Sequence, residues 1–382
     1  MQQQNLYSKF LDIEIPKKLI YLWFAGALLR LITINLASFA PELVPDFVYY
    51  RLPTAECILS EGWLYCDCRY NHTPFYPYLA SFMLWMAGDV PFLQIFLIHL
   101  PLALGDALVP IVIFLLFRSV TNEKLAFMCS AIYALNPIAL IEVAISHWDG
   151  FTLLFLMLGL LAMERSQPFN VGIFTGLGFL LKQFPLGLFP VLLLKTRSVK
   201  STFRMGVAAT LVILTILLPF LLSCPTTFFE NLLNHPLWRG DASEKVGIGT
   251  IKNVFDHIGM PYPKIIWGVL FVSLVGIPSI KANKVNYVYY AGILMVTLAF
   301  FTYVTHRQLL VWCMPFIILI TIEKKAYIPF ILLFAGYVIR IIKPDWYFGL
   351  IHLGVGVWYY LALYQGMAGK TPQKTSISND LT

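Results

Sequence analysis

The feature that most constrains this chain is a series of long apolar runs joined by short basic connections. Runs at 19–39, 92–117, 125–145 and 205–222 approach or exceed the roughly 20 apolar residues that a helix needs to cross a bilayer. Shorter runs at 151–163, 171–181, 185–194, 265–280, 288–303, 309–322, 328–342 and 348–364 suit helices shielded by neighbouring protein. The segment 73–88 is short and broken by proline, and is expected as a surface or re-entrant helix. Only 12% of residues are charged and 59% are hydrophobic. A soluble domain carries about 25% charged residues, so there is too little polar surface here for a water-facing globule. The expected fold is an all-α polytopic membrane protein with about 11–13 spans. It would form one domain over residues 1–369, followed by a polar tail at 370–382.

The net charge of +7 does not point to nucleic acid. Lys and Arg concentrate in short connections, where they orient a membrane protein. Lys17 and Lys18, Arg118 and Lys124, Arg165, Lys195 to Lys200 with Arg204, Lys281 and Lys284, and Lys324 and Lys325 all fall on one side. That requires that 73–88 does not span and that the chain breaks near 181–185. Both termini are then cytoplasmic, and the two long polar loops, 40–71 and 223–261, are non-cytoplasmic. The first apolar run reads as a retained span, since no small-residue cleavage site follows it. The host membrane, plasma membrane or endoplasmic reticulum, stays open. Cys57, Cys66 and Cys68 share the first loop, whereas Cys129, Cys224 and Cys313 are scattered. Lone thiols and a disulfide from Cys57 to Cys66 or Cys68 are both compatible with that spacing.

Several polar residues break the pattern on the non-cytoplasmic side: Asp46, Arg51, Glu56, His72, His147, Asp149, Lys182, Gln183, His235, Arg239, His306, Arg307 and Gln308. Charge near membrane depth is expensive, and so points to function. Each also has a plainer reading. Asp46 suits a general base or a solvated loop acid. Asp149 suits a helix N-cap after His147 and Trp148. Lys182, just before the Pro185 break, suits an anionic headgroup or a snorkelling side chain. Arg307 matches phosphate oxygens or ends a polar turn, and His235 and Arg239 suit a solvated loop.

The ordered pieces are Asp46-Phe47-Val48-Tyr49, Glu61-Gly62-Trp63-Leu64-Tyr65, Tyr70-Asn71-His72-Thr73-Pro74, and Asn136-Pro137 before His147-Trp148-Asp149-Gly150. Leu181-Lys182-Gln183-Phe184-Pro185 and Thr305-His306-Arg307-Gln308, with Trp312 and Pro315, complete them. Together they resemble the GT-C superfamily of integral membrane glycosyltransferases. They are especially similar to the mannosyltransferases that add the first mannose to GPI precursors, and to prokaryotic relatives of those enzymes.

The resemblance implies a sugar, mannose by the nearest likeness, carried on a polyprenyl or dolichyl phosphate. It implies inverting transfer to a lipid or glycan acceptor on the non-cytoplasmic face. Asp46 matches the family's catalytic acid. The GPI enzymes carry a second acid two residues later, where this chain has Val48, so a single-base mechanism is expected. No metal ligand is assigned, and a divalent cation stays an option. Lys182, His306, Arg307, Gln308, His147, Asp149 and Arg239 are the expected substrate-binding residues. Phe75-Tyr76-Pro77-Tyr78 is expected along the surface, guiding the prenyl chain. A transporter or flippase, or a non-catalytic subunit of a glycosylation complex, are the competing readings. The first is disfavoured because the chain shows no internal repeat.

Overall fold

A computed structural model of the chain describes residues 16–40, 48, 51–68, 70, 72–145, 147–231, 264–301, 307–342 and 346–369. Asp46, Arg239, His235, His306, the side chain of Arg307 and the tail 370–382 lie outside the described residues.

The described chain is helical. Its one β feature is an isolated bridge between Leu64 and Cys68. Helix α1 covers Lys17–Ser38, and α2, Leu52–Leu59, sits in the first polar loop. Then follow α3 at Phe75–Ala87, α4 at Pro91–Val120, α5 at Glu123–Ala134 and α6 at Pro137–Ala144. Next come α7 at Asp149–Glu164, α8 at Pro168–Phe179, α9 at Leu188–Thr196, α10 at Val199–Ser223 and α11 at Pro225–Phe229. The last are α12 at Lys264–Ser279, α13 at Tyr287–Phe300, α14 at Leu310–Lys324, α15 at Tyr327–Ile342 and α16 at Trp346–Gly369. Short 3₁₀ turns, Phe184–Gly187 and Arg307–Leu309, lead into α9 and α14.

Local chemistry sets the boundaries. The apolar run 125–145 divides in two because Pro137 cannot donate into a continuing helix. Asn136 caps the new start, its Oδ1 accepting from Ile138 N at 2.8 Å. Asn122 and Ser198 cap α5 and α10 in the same way. The α2 helix was not expected within a loop read as polar. Its first turn carries Pro53, a residue suited to that position.

Among the described residues, four helical segments are long and apolar enough to cross a membrane: α1, α4, α5 with α6, and α10. Helix α16 has 24 residues, and the remaining helices are shorter. At the centre, α7, α13 and α14 are buried along most of their length. Peripheral helices turn large apolar side chains outward, among them Tyr21, Phe203, Leu222, Val272 and Ile328. Such an exterior suits lipid, and the protein is an integral membrane protein of helical type.

Helices α8 and α10 lie close because Gly172 and Gly176, one turn apart, face α10. A Cβ at 172 would sit 2.3 Å from the Met205 carbonyl oxygen. The two ends of the bundle differ chemically. At one end Lys18 pairs with Glu123 at 3.0 Å, and Lys195 with Glu164 at 2.8 Å. At the other, the Cys57–Cys68 disulfide closes the first loop and Cys66–Cys224 ties that loop to the end of α10. Cys57–Cys68 is one of the pairings left open by the spacing. Cys224, read as a scattered thiol, is in fact the partner of Cys66.

Candidate active site

The site lies at the disulfide-bonded end, where α8 stops and α7 starts. After Phe179 the chain turns toward Pro185, leaving helix-end carbonyls without partners. Thr73 fills that gap, its hydroxyl donating to Leu180 O at 2.7 Å. Lys182 stands on this short connection, 8% exposed. Its Nζ donates to both carboxylate oxygens of Asp149 at 2.7 Å each. Trp312, from the first turn of α14, donates through Nε1 to Asp149 Oδ1 at 2.5 Å. Phe184 stacks on Trp312 with ring centroids 4.0 Å apart and fixes its angle.

Capping of α7 was the plainer of two readings of Asp149. Trp148 holds the N-cap position, and Asp149 is instead the first residue of the helix. Its charge still favours the helix N-terminus, while its oxygens serve Lys182 and Trp312.

Trp148 is the hub of an aromatic and cationic cluster. Tyr76 stacks on it at 4.5 Å, and His72 meets it edge-on at 5.3 Å. The Arg51 guanidinium lies 4.4 Å from its ring centroid and Lys182 Nζ 5.4 Å. Two cations, one of them paired with Asp149, thus pack around one indole. Tyr76 and Pro77 therefore face protein. Tyr78, Phe82, Trp85 and Met86 are the exposed side chains of α3.

His147 is also buried, with Nδ1 against Glu142 Oε2, and the Tyr337 hydroxyl donates to Glu142 Oε1. The first loop closes over this region through Tyr65, packed between Phe220 and Phe228, whose hydroxyl donates to His72 O at 2.5 Å. Burial pushes the Tyr65 and Tyr70 phenols above their ordinary range, so both stay protonated donors. For Tyr70 the nearby Arg51 charge pulls the other way without prevailing.

Deeper in the bundle, Arg30 of α1 donates to Asp106 of α4 at 2.6 Å, and Tyr133 of α5 donates to the other Asp106 oxygen at 2.7 Å. The Asp106 carboxylate rests on Gly150, where a Cβ would approach Oδ1 to 2.0 Å. This second cluster supports the start of α7 from behind.

Of the expected binding residues, Lys182 and Asp149 are in direct contact, and His147, two residues before Asp149 in the chain, is held by Glu142. Gln308 lies half-buried in the turn before α14, four residues ahead of Trp312. Sequence reasoning passed over Glu142, Asp106 and Arg30, because each is one ionisable residue inside an otherwise apolar run. Charge inside a span was the signal available. Among the described residues, no group of three or more His, Cys, Asp or Glu side chains is arranged to hold a metal ion.

Comparison with known proteins adds a family to this geometry. No curated protein matches the sequence. The fold is similar to the crystal structure of ArnT from Cupriavidus metallidurans bound to undecaprenyl phosphate, at a TM-score of 0.52 and 16% identity. That likeness covers 93% of this chain and 76% of the other, and at this identity it speaks to fold alone. A family model, glycosyltransferase family 87, matches residues 72–308, more than half of the chain and the segment that carries His147, Asp149 and Lys182. The chain belongs to glycosyltransferase family 87.

Proposed function

We propose that this glycosyltransferase takes a sugar, mannose in the first instance, from a polyprenyl or dolichyl phosphate and transfers it with inversion to a lipid or glycan acceptor on the non-cytoplasmic face. The observation that carries this reading is the buried cation Lys182, held by Asp149 and Trp312 at the end of the bundle where the disulfide-bonded loop lies. A fixed positive charge in a dry site stabilises negative charge as it develops on a leaving phosphate. The fold's likeness to a protein captured with undecaprenyl phosphate favours the same class of carrier.

In the proposed reaction the acceptor hydroxyl gives its proton to the Asp46 carboxylate. Its oxygen forms a bond to the anomeric carbon, on the face opposite the phosphate. The bond from that carbon to the phosphate oxygen breaks, and its electron pair stays with the lipid phosphate. Lys182, Arg307 and His306, with Arg239, stabilise that charge. Asp149, His147 and Gln308 orient the sugar or the acceptor.

Purified protein in liposomes, supplied with a panel of polyprenyl-phosphate sugars and scored for release of lipid phosphate, tests the reaction. Asp46→Asn is expected to keep the folded protein in membranes and to lower transfer by on the order of 10²-fold or more. Transfer by that variant at the wild-type rate would remove Asp46 from the mechanism.

A further inference from the structure

Gly105 and Asp106 sit side by side on α4, against the first turn of α7. The fit is reciprocal. Gly150 of α7 has no Cβ, and the Asp106 side chain fills the space that one would occupy. Gly105 of α4 has none either, and the ring of Phe151 fills that space in turn. Small residues at such a crossing let two helices approach closely, and here each helix blocks the sliding of the other. Gly150 and Phe151 are thereby seated on α4. Asp149, the residue before them, presents its carboxylate to Lys182 and Trp312.

Asp106 is itself held from two sides. Arg30 Nε of α1 donates to Oδ2 at 2.6 Å, and the Tyr133 hydroxyl of α5 donates to Oδ1 at 2.7 Å. The guanidinium is anchored too, Nη1 donating to the carbonyl oxygens of Gly26 and Ala134 at 2.9 Å each. All three side chains are fully buried, and a satisfied polar network of that kind is rigid. Resting on the donor reading above, we propose that Asp106 is a positioning residue. Wedged at Gly150 and held by Arg30 and Tyr133, it fixes where Asp149 holds the Lys182 ammonium. The donor is a phosphodiester with a single negative charge. Its phosphate takes on a further charge as the bond to the anomeric carbon breaks. A cation set at that oxygen serves the transition state more than the bound donor. The seat of α7 therefore governs kcat more than KM.

The test is the liposome assay above with its panel of polyprenyl-phosphate sugars. It is read as kcat and KM per folded molecule, beside the thermal midpoint of each variant. Gly150→Ala leaves every charge in place and forces a methyl group against the Asp106 carboxylate, displacing the start of α7. It is expected to lower kcat on the order of tenfold or more, since a misplacement of about 1 Å can cost more than that. KM is expected to move by less than about threefold. Tyr133→Phe removes one hydrogen bond from Asp106 without adding bulk, and lowers kcat severalfold with the same small change in KM. Gly366→Ala is the control. Its methyl group presses on the Tyr289 ring at the opposite end of the bundle, where Tyr287 donates to Glu164. It lowers the thermal midpoint as overpacking does, and leaves kcat within about twofold of the wild type.

A merely structural role for Asp106 predicts that Gly150→Ala and Gly366→Ala lower the thermal midpoint alike and leave kcat unchanged. That result overturns the proposal. Equal losses of kcat in the two variants overturn it as well, since the loss then follows stability and not place. So does a rise in KM with kcat unchanged. If Gly150→Ala does not fold, Tyr133→Phe decides alone, and a wild-type kcat in that variant overturns the proposal. Each of these outcomes, with an active wild type, leaves the donor reading intact. No release of lipid phosphate by the wild type from any donor of the panel sinks the donor reading, and this proposal with it.

Discussion

Lys182 and Asp149 are each less than one-tenth exposed, so neither charge is easily tolerated alone. Breaking a buried ion pair from one side typically costs about 3–5 kcal/mol, whereas replacing both partners with apolar side chains is often neutral. Lys182→Met should therefore lower the thermal stability of the detergent-solubilised protein sharply, by that order. The double variant Lys182→Met with Asp149→Leu should recover most of the loss, less the part due to the stranded Trp312 N–H. If Lys182 serves the leaving phosphate, the recovered protein still fails to transfer sugar. A stable double variant with wild-type transfer would reduce the pair to a structural brace. The sequence made these two residues visible because each interrupts an apolar pattern next to a turn. Their partner Trp312 stood in a motif without a stated role. Glu142 and Asp106 stayed hidden because one acid barely changes the mean hydropathy of a long run, and only packing reveals whom it faces.

At the scale of elements, α8 leads into the connection that carries Lys182, and its seating on α10 sets how the charge is presented. That seating depends on the absence of side chains at Gly172 and Gly176. Gly172→Ala would push a methyl group against the Met205 carbonyl, which belongs to a helix and cannot step aside. Overpacking of this kind costs about 1–3 kcal/mol. Gly206, on α10, is the internal control: a Cβ there meets only the Phe189 ring edge at 3.6 Å, ordinary contact. Gly206→Ala should be neutral or stabilising by up to about 1 kcal/mol through helix propensity. Thermal unfolding in detergent distinguishes the two, and equal effects at both positions would show that the α8–α10 contact is looser than its geometry implies. The apolar runs located nearly all of these helices in the sequence, since span length and composition are one-dimensional properties. Their breaks were harder to read. The split at Asn136-Pro137 depends on a local backbone donor, and α2 on a loop folded back by Cys57–Cys68, whereas the break near 181–185 was expected from Pro185.

For the whole molecule, the two chemically different ends amount to a claim about orientation. The basic connections expected in the cytoplasm include those around Lys18 and Lys195, which pair with Glu123 and Glu164 at one end. The disulfides Cys57–Cys68 and Cys66–Cys224 stand at the opposite end, with the candidate site. Disulfides persist in oxidising compartments and are rare in the cytosol, and positive charge is retained on the cytoplasmic side. On these two independent rules, one redox and one electrostatic, we propose that this face is the outside. Glu61, exposed beside the disulfide loop, and Ser198, in the basic connection before α10, report on the two faces. A cysteine introduced at Glu61 should react with a membrane-impermeant maleimide in intact cells, and one at Ser198 only after lysis. The reversed pattern would put the disulfides in a reducing compartment and the site on the wrong side for an exported sugar carrier. Cys224→Ser supplies an independent check. It frees the first loop from α10, and should cost about 2–4 kcal/mol of stability with a fall in transfer, because the loop that carries Asp46 loses its anchor.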